Sequence, residues 1–253
     1  MWNLIQKYIY FMVSKNQIKL ITSLQQKKFR QVHKLFIAEG AKVIEELLNS
    51  NYELHYLYQT ELIFKNVSQD SFEIISEQDL KKITALTTPN NCLALFKIPV
   101  SNVVFTNELT LVLDDIRDPG NLGTIIRLCD WFGIKQLVCS MQTVDIYNPK
   151  VIQATMGSIS RVSIVYQNLE DFLSKNTMPV YGTFMDGKNV YGESLIEKSI
   201  LILGNEANGI SSSITKYVTN SIAIPRFGNL QVTESLNVAT ATAIFLSEFK
   251  RKS

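Results

Sequence analysis

The chain has 253 residues, of which 46% are hydrophobic and 19% charged, so it can bury a core and is not disordered by composition. Lys and Arg total 25 and Asp and Glu total 23, which excludes a histone-like polycation but not a local nucleic-acid surface. The two histidines and three cysteines have no metal-ligand spacing. We therefore expect no metal site, and free thiols in a reducing cytoplasm.

The first residues are apolar but resemble neither a targeting signal nor a membrane span. Residues 1–11 lack a basic start and a cleavage site, and Lys7 interrupts their apolar run. No stretch of the chain reaches the roughly 18 apolar residues of a membrane helix. We interpret residues 1–11 as an N-terminal extension, with Met12 as an alternative start, and expect a cytoplasmic protein without a membrane partner.

Positive charge is concentrated near the N-terminus. Residues 1–105 include 12 basic and 9 acidic residues, and no acidic residue lies between Ser14 and Ala38. Apolar residues recur there at near-helical spacing, which predicts an amphipathic helix with a basic outer face. Two interpretations stay open: an ordinary solvated helix face, and a surface that contacts nucleic-acid phosphates. The basic residues concerned are Lys15, Lys19, Lys27, Lys28, Arg30 and Lys34.

Alternating patterns of strand and helix continue to residue 100. Ser76, with Asp79 three residues later, is typical of a helix N-cap. Pro99 lies in a polar surround that is typical of a linker, over residues 98–102. We predict a small α/β domain at residues 12–100, with strands at 35–38, 54–58, 72–75 and 93–97 and helices at 41–48 and from 77 to about 86.

The second half alternates again and predicts a second α/β domain over residues 106–253. Helical stretches separate several of its strands, which favours a mostly parallel sheet covered on both faces. The last predicted helix extends from about Leu236 to Lys250 and has a face of small residues. The predicted strands are 109–113, 136–139, 162–165, 180–184, 199–203 and 221–224.

Three of these strands end in long polar loops. The loops are residues 114–123, 204–211 and 225–237, and they are rich in glycine and amide side chains. Ligands of open α/β sheets bind beyond the carboxyl ends of the strands. The loops therefore predict one composite pocket with exposed backbone donors and acceptors.

Known nucleotide motifs are absent or incomplete. No GxGxxG is present, and residues 182–189 match the spacing of a P-loop except that Asn189 stands where Ser or Thr would bind magnesium. A turn with glycines at its bends would account for the same sequence without any nucleotide binding. A P-loop nucleotidase remains an alternative, which ATP hydrolysis would reveal.

Five polar residues in or beside the loops invite a functional interpretation. Arg127 interrupts a helix that the pattern predicts to be buried, so it needs either a salt bridge or a substrate phosphate. Glu206 is expected to cap the helix near residue 211 or to hold Arg127. Asn121 also suits a simple turn, and Ser235 and Asn237 also suit the start of the last helix.

The loop sequences resemble the three motifs of the SpoU (TrmH-type) branch of the SPOUT RNA methyltransferases. The similar stretches are residues 118–133, 203–211 and 224–239, and their order and spacing match over about 106–250. The domain at 12–100 is similar to the family's auxiliary substrate-binding domain, which has an L30e-like shape. Asn205, Ala207 and a longer loop at 226–233 depart from the family pattern.

The resemblance implies a trefoil-knotted α/β domain, a homodimer with an active site completed across the interface, and S-adenosylmethionine as cofactor. It implies methylation of a ribose 2′-hydroxyl in RNA, with rRNA favoured over tRNA. A non-catalytic RNA-binding or ribosome-assembly factor with the same fold is the alternative. By motif match, main-chain groups of Thr183, Gly204, Ile224 and Leu236 would bind the cofactor.

The catalytic role follows from the same match. Arg127 would assist the ribose hydroxyl, and electrostatic stabilisation of the developing alkoxide suits it better than proton abstraction, because a guanidinium is a poor base. Asn121, Glu206, Ser235 and Asn237 would orient Arg127 and the ribose. The basic stretch from Lys15 to Lys34 would bind RNA phosphates.

Overall fold

A computed structural model of the chain describes residues 11–100, 108–228 and 235–251, which form two compact units. The first unit extends to Pro99 and also includes Tyr147–Ser160, and the second takes the other described residues. Residues 1–10 of the predicted extension 1–11, residues 101 and 102 of the predicted linker 98–102, and residues 229–234 of the predicted loop 225–237 lie outside the described residues. Each unit has its own sheet.

The first unit is the small α/β module that the sequence predicts. Its sheet has the order β1-β4-β2-β3, with β4 antiparallel to both neighbours and β3 parallel to β2. Ser76 caps α4 by accepting a hydrogen bond from the Asp79 N–H, as predicted. The elements are α1 (Lys15–Ser23), α2 (Lys27–His33), β1 (Leu35–Glu39), α3 (Ala41–Leu48), β2 (Leu54–Gln59), β3 (Phe72–Ile74), α4 (Glu77–Ile83), β4 (Cys92–Lys97), and further along the chain α6 (Pro149–Thr155).

The basic stretch forms two helices, not the single helix that the sequence predicts. Gln26 is extended, which ends the first helix before Lys27 begins the second. Arg30 is only 2% exposed, and its Nη1 donates to the carbonyl oxygens of Leu24 and Gln25 at 2.7 and 2.9 Å. The guanidinium thus satisfies carbonyl groups at the end of α1. Arg30 therefore lies inside the unit, and its predicted place on the outer basic face is wrong.

The segment Tyr147–Ser160 belongs to the first unit, although the predicted boundaries assign it to the second domain. The Tyr147 ring lies 4.8 Å from that of Phe36 in β1, and α6 packs against the same strand. Gly157 has φ +95°, and a Cβ there would lie 2.6 Å from the side chain of Glu46. Such long-range packing leaves no periodic signal in the sequence.

The second unit contains a sheet of six parallel strands, which confirms the predicted mostly parallel sheet. The strand order is β10-β8-β9-β5-β6-β7. Every residue of β5, β6 and β9 is buried, as expected for strands covered on both faces. The elements are β5 (Thr110–Leu113), α5 (Pro119–Trp131), β6 (Gln136–Cys139), β7 (Ser163–Tyr166), α7 (Leu169–Ser174), β8 (Val180–Asn189), β9 (Ile200–Leu203), α8 (Ser212–Thr215), β10 (Asn220–Ala223) and α9 (Val238–Lys250).

The order of the strands places a switch point between β5 and β9. From β5 the chain passes to β6 and then β7 on one side, and β8 and β9 return to the other side. Loops that leave adjacent strands in opposite directions open a crevice at the carboxyl edge. α5 and α9 pack against each other, and buried Ala239 and Thr242 permit the close contact that the small-residue face predicts.

The stretch that resembles a P-loop lies inside strand β8. Gly182 pairs with Ser221 and Lys188 pairs with Ile222, so residues 183–187 bulge out of the ladder with β10. A Cβ at Gly187 would lie 2.5 Å from the backbone of Ile222, so this position requires glycine. A P-loop precedes a phosphate-binding helix, whereas this stretch is a strand, and the nucleotidase alternative is excluded.

None of the helices described is both long and apolar enough to cross a bilayer.

Candidate active site

Three amide and carboxylate side chains meet at the switch point. Asn121 Nδ2 donates to Glu206 Oε1 at 2.8 Å, and Asn237 Nδ2 donates to Asn121 Oδ1 at 2.8 Å. Asn121 lies in the first turn of α5, Glu206 in the loop after β9, and Asn237 at the start of α9. The structure therefore brings together three of the five polar residues that the sequence singles out, from positions 85 and 116 residues apart.

The orientation of these amides is fixed by helix capping. Asn237 is the N-cap of α9, and its Oδ1 accepts from the N–H groups of Ala239 and Thr240 at 3.0 and 3.2 Å. Its NH₂ group is thereby turned toward Asn121, whose own oxygen is occupied and whose NH₂ must face Glu206. The donors and acceptors thus run in one direction, from the α9 cap to the carboxylate.

Asn205 connects the two loops on either side of the switch point. Its Nδ2 donates to the Asp115 carbonyl oxygen at 2.8 Å, and its Oδ1 accepts from the N–H groups of Ala207 and Asn208 at 2.9 and 3.1 Å. Asp115 has φ +60°, and its N–H donates to Ser140 Oγ at 2.9 Å. Asn205 thereby fixes the turn that carries Glu206. The sequence gives it no role beyond a departure from the family pattern.

The loop after β9 closes on itself too tightly for a side chain at its start. The N–H and carbonyl groups of Asn205 and Gly209 exchange two hydrogen bonds, at 3.0 and 2.8 Å. A Cβ at Gly204 would lie 2.1 Å from the Gly209 carbonyl carbon. Ser211 follows, and its N–H donates to Asp114 Oδ2 at 2.8 Å, which ties the far end of this loop to β5.

Arg127 occupies a different environment from the predicted one. It is exposed on α5, and within the residues that the structure describes it makes no hydrogen bond or ion pair. The predicted burial is wrong, because α5 buries Leu122, Ile125, Ile126 and Cys129 and turns Arg127 to the opposite side. Glu206 contacts Asn121 instead of Arg127. The guanidinium is therefore open to a partner from outside this set of residues.

Ser235 lies next to the site without joining its hydrogen bonds. It is exposed two residues before the Asn237 cap, and no contact links it to the other polar residues among those described. The N-cap role that the sequence allows either residue belongs to Asn237. Likewise, Glu206 does not cap α8, whose N-cap is Ser211.

The residues expected to bind the cofactor lie at the same edge of the sheet. Gly204 and Ile224 directly follow the carboxyl ends of β9 and β10, and Thr183 lies within β8, directly after the residues that pair with β9. Thr183 Oγ1 donates to the Ile202 carbonyl oxygen at 3.1 Å. Within the described ranges no hydrogen bond uses the main chain of Gly204 or Leu236. Their N–H and carbonyl groups are thus available to a ligand, as main-chain recognition of a cofactor requires.

The cysteines do not supply a nucleophile. Cys92, Cys129 and Cys139 are free and buried. Burial raises the pKa of Cys92 to about 11 and raises the pKa values of Cys129 and Cys139 well above the ordinary range for a thiol. All three thiols therefore stay protonated at neutral pH and cannot form a covalent intermediate as thiolates.

The six basic residues that the sequence singles out between Lys15 and Lys34 divide into two groups. Lys15, Lys19, Lys27, Lys28 and Lys34 are exposed, whereas Arg30 is buried. Ser14 caps α1 through a reciprocal pair of hydrogen bonds with Gln17, at 3.2 and 2.8 Å. The first helix of this basic stretch therefore has a fixed N-terminus.

Comparisons with known proteins agree with this architecture. The family model described as "SpoU rRNA Methylase family" matches residues 108–247, and the model of the "MRM3-like substrate binding domain" matches residues 15–94. The 23S rRNA (guanosine(2553)-2′-O)-methyltransferase RlmP of Bacillus subtilis is 30% identical over 241 residues, which cover 92% of this chain and 96% of RlmP.

Solved structures give the same result. A TrmH-family protein from Porphyromonas gingivalis has 38% identity and a TM-score of 0.87, over 96% of this chain and 100% of that one. The AdoMet-bound rRNA methyltransferase of Sinorhizobium meliloti has 28% identity and a TM-score of 0.83, over 96% and 97% of the two chains. Fold and site together define the class of this protein as a methyltransferase.

More particularly, the chain belongs to the SpoU rRNA methylase family. This confirms the resemblance drawn from the three loop sequences. It also confirms that the module before residue 100 is a substrate-binding domain of the kind found with such enzymes.

Proposed function

We propose that this protein transfers a methyl group from S-adenosylmethionine to a ribose 2′-hydroxyl of ribosomal RNA. Full-length similarity to RlmP and to the AdoMet-bound enzyme of Sinorhizobium meliloti supports the reaction and the donor. The observation that carries the proposal is the hydrogen-bonded set of Asn121, Glu206 and Asn237 at the switch point of the sheet. Transfer from a sulfonium requires alignment of donor carbon and acceptor oxygen, and such positioning supplies roughly 7–11 kcal/mol of the barrier reduction.

The donor would be held by main-chain groups of Gly204 and Leu236, together with Thr183 and Ile224 on the neighbouring strands. When bound, S-adenosylmethionine supplies an electrophilic methyl group on a positively charged sulfur. Gly204 serves by its lack of a side chain, since the closed loop after β9 leaves no room for a Cβ, and its main-chain groups make no hydrogen bond within the described ranges. No metal and no covalent enzyme intermediate is needed.

Arg127 is the residue that we assign to the developing alkoxide. A guanidinium with a pKa above about 12 does not accept a proton at neutral pH, so its role is electrostatic. Arg127 is exposed and has no hydrogen-bond partner among the described residues, so its N–H donors are open to the ribose oxygen and an adjacent RNA phosphate. The amide and carboxylate set, with Ser235, would position the acceptor ribose.

RNA would also contact the first unit through Lys15, Lys19, Lys27, Lys28 and Lys34. These exposed ammonium groups suit phosphate contacts that position the RNA without reading its sequence. Arg30 takes no part, because its guanidinium is buried against carbonyl groups. rRNA is favoured over tRNA by the names of the relatives.

Three finer features complete the proposal: a trefoil knot formed by the C-terminal segment, a homodimer, and a cytoplasmic location. The exposed face of α5 supports the homodimer, since Trp131 is 85% exposed one turn after Arg127. A second copy seated on this face would shield the indole and bring Arg127 toward the partner's site. Three free buried cysteines suit a reducing compartment.

The proposal is tested by Arg127→Ala in the full-length protein. Loss of one electrostatic donor at an oxyanion lowers turnover by about 10²–10³-fold, so methylation of rRNA should fall below detection while calorimetry shows unchanged binding of S-adenosylmethionine. Arg251→Ala is the matched control, an exposed arginine paired with Glu248 at the end of α9. Unchanged turnover in Arg127→Ala refutes the assignment. Wild-type protein that binds RNA without methylating it identifies the non-catalytic assembly factor.

A further inference from the structure

An aromatic pair lies exposed in the second unit, outside the set of polar residues described above. The rings of Tyr191 and Phe227 are stacked with centroids 6.4 Å apart and planes inclined by 27°. Tyr191 is 40% exposed and Phe227 is 81% exposed. Most of the Phe227 side chain is therefore open to solvent.

Tyr191 is held in place by its neighbours. It lies in a short 3₁₀ turn, Val190–Gly192, which packs against α9. Val190 is fully buried, and Asn189 Oδ1 accepts a hydrogen bond from the Tyr191 N–H at 3.0 Å. Asn189, which departs from the P-loop motif in residue type, thus caps the turn that carries the tyrosine. The backbone that carries the ring is thus fixed before a ligand binds, which lowers the entropy cost of binding.

The aromatic pair follows strands that end at the same edge of the sheet as the proposed active site. Tyr191 follows β8 and Phe227 follows β10, and these are neighbouring strands whose carboxyl ends lie at the same edge as the end of β9. The 3₁₀ turn rests on α9, the helix whose cap, Asn237, bonds Asn121. The rings and the polar set are therefore on the same edge of one sheet, which is the ground for assigning them to one substrate.

Charge does not mark this surface as a phosphate site. Along the chain next to the two aromatic residues, the basic Lys188 and Arg226 are equalled in number by the acidic Asp186 and Glu193. What distinguishes the surface is the flat apolar face of the rings, which stacks on a planar heterocycle. Single-stranded RNA is recognised in this way, because unpaired bases stack on aromatic side chains irrespective of sequence.

We propose that Tyr191 and Phe227 form a stacking platform for an unpaired nucleobase of the RNA substrate, close to the ribose that is methylated. The inference rests on the proposed function, because it takes RNA as the substrate. The platform fixes the nucleotide chain beside the site by an apolar contact, whereas the lysines of the first unit act on phosphates. The two contributions differ in their dependence on salt.

Phe227→Ala tests the platform in the full-length protein. Truncation of a ring that stacks on a base weakens binding of single-stranded nucleic acid by about tenfold. The probes are a short oligoriboadenylate and an abasic ribose-phosphate oligomer of equal length and charge. We expect the variant to bind oligoriboadenylate about tenfold more weakly, with little change in salt dependence, and to bind the abasic oligomer like the wild type.

Two further variants separate stacking from general apolar contact. Phe227→Tyr keeps an aromatic face and should retain wild-type affinity, whereas Phe227→Leu keeps apolar area without the ring and should resemble Phe227→Ala. Ile196→Ala is the matched control, since Ile196 is 49% exposed in the same unit and lies before β9, at the opposite edge of the sheet. We expect it to bind both oligomers normally.

Several results overturn the proposal. The proposal is wrong if Phe227→Ala binds oligoriboadenylate with wild-type affinity. It is also wrong if the variant loses as much affinity for the abasic oligomer as for oligoriboadenylate. A parallel loss of S-adenosylmethionine binding in calorimetry assigns the rings to the adenine of the donor instead. If the wild type fails to methylate RNA, the proposed function fails whatever Phe227 does; if it methylates RNA and Phe227→Ala binds normally, only the platform fails.

Discussion

Asn121 is the residue on which the geometry of the site depends most. Its amide joins Glu206 and Asn237, so its truncation removes one hydrogen bond to a carboxylate and one between amides. A bond to an exposed charged group contributes about 1.5 kcal/mol and a neutral one about 1 kcal/mol. If both bonds serve to position the acceptor, Asn121→Ala loses about 2.5 kcal/mol, or roughly 70-fold in turnover.

Asn121→Asp is the more informative change, because it is nearly isosteric. It keeps the oxygen that accepts from Asn237 and replaces the donor that faces Glu206 by a second carboxylate. At the observed separation of 2.8 Å, two unit charges in water repel by about 1.5 kcal/mol, in addition to the lost bond of about 1.5 kcal/mol. The expected reduction is therefore roughly 150-fold, at least as large as for alanine, whereas a purely steric role predicts a mild effect.

Pairing Asn121→Asp with Glu206→Gln restores a donor and an acceptor in reversed order. Single-turnover transfer of labelled methyl to rRNA measures the rates, calorimetry measures binding of S-adenosylmethionine, and thermal unfolding checks stability. Asn208→Ala, an exposed amide in the same loop, is the control. We expect the double variant to be faster than Asn121→Asp alone, with donor binding unchanged. A double variant no faster than the single one contradicts a positioning role for this hydrogen bond.

The remaining predictions concern the first unit. Changing Lys27 and Lys28 to Gln should reduce the slope of log affinity against log salt by about 1.4 for single-stranded RNA, and Lys65→Gln, an exposed lysine outside the basic stretch, should leave it unchanged in filter-binding titrations. If the slope is unaltered in the Lys27 and Lys28 variant, these lysines face solvent without contacting RNA. Arg30→Ala should instead lower stability by about 3 kcal/mol in urea unfolding, because two carbonyl groups lose charged donors; lost RNA affinity at wild-type stability would contradict its structural role.

Periodic patterns of apolar residues predict much of the fold because helices and strands depend largely on interactions between residues close in the sequence. The bounds of α3 and β6 agree with the sequence patterns to the residue, and the parallel sheet of the second unit follows from the alternation of helix and strand. The break between α1 and α2 does not, since it depends on how one arginine reaches two carbonyl groups. The β8 register, which skips five residues opposite Ser221 and Ile222, is likewise a property of the paired strands.

The site, like the fold, has features that the sequence predicts and features that depend on tertiary contacts. The residues themselves are recognisable from three ordered motifs, and the meeting of Asn121, Glu206 and Asn237 follows from parallel strand ends. The exposure of Arg127 could not be predicted from the sequence, because its neighbours in the chain are apolar and suggest a buried helix. The structure shows that these neighbours face the core while Arg127 faces away from it. Asn205 is missed for another reason: a side chain that bonds main-chain groups of two loops leaves no motif of its own.

The site has two parts: a frame of three polar side chains that bond to one another, and the charge of Arg127, which has no partner among the described residues. Asn121, Asn237 and Glu206 bond to one another, so their positions are set before any substrate arrives, which is the condition for catalysis by positioning. Arg127 has no partner among the described residues, so its interaction energy is available to a charge that develops during the reaction. Changes to the frame should therefore reduce turnover in graded steps as alignment loosens, whereas removal of the guanidinium should abolish it without loosening anything.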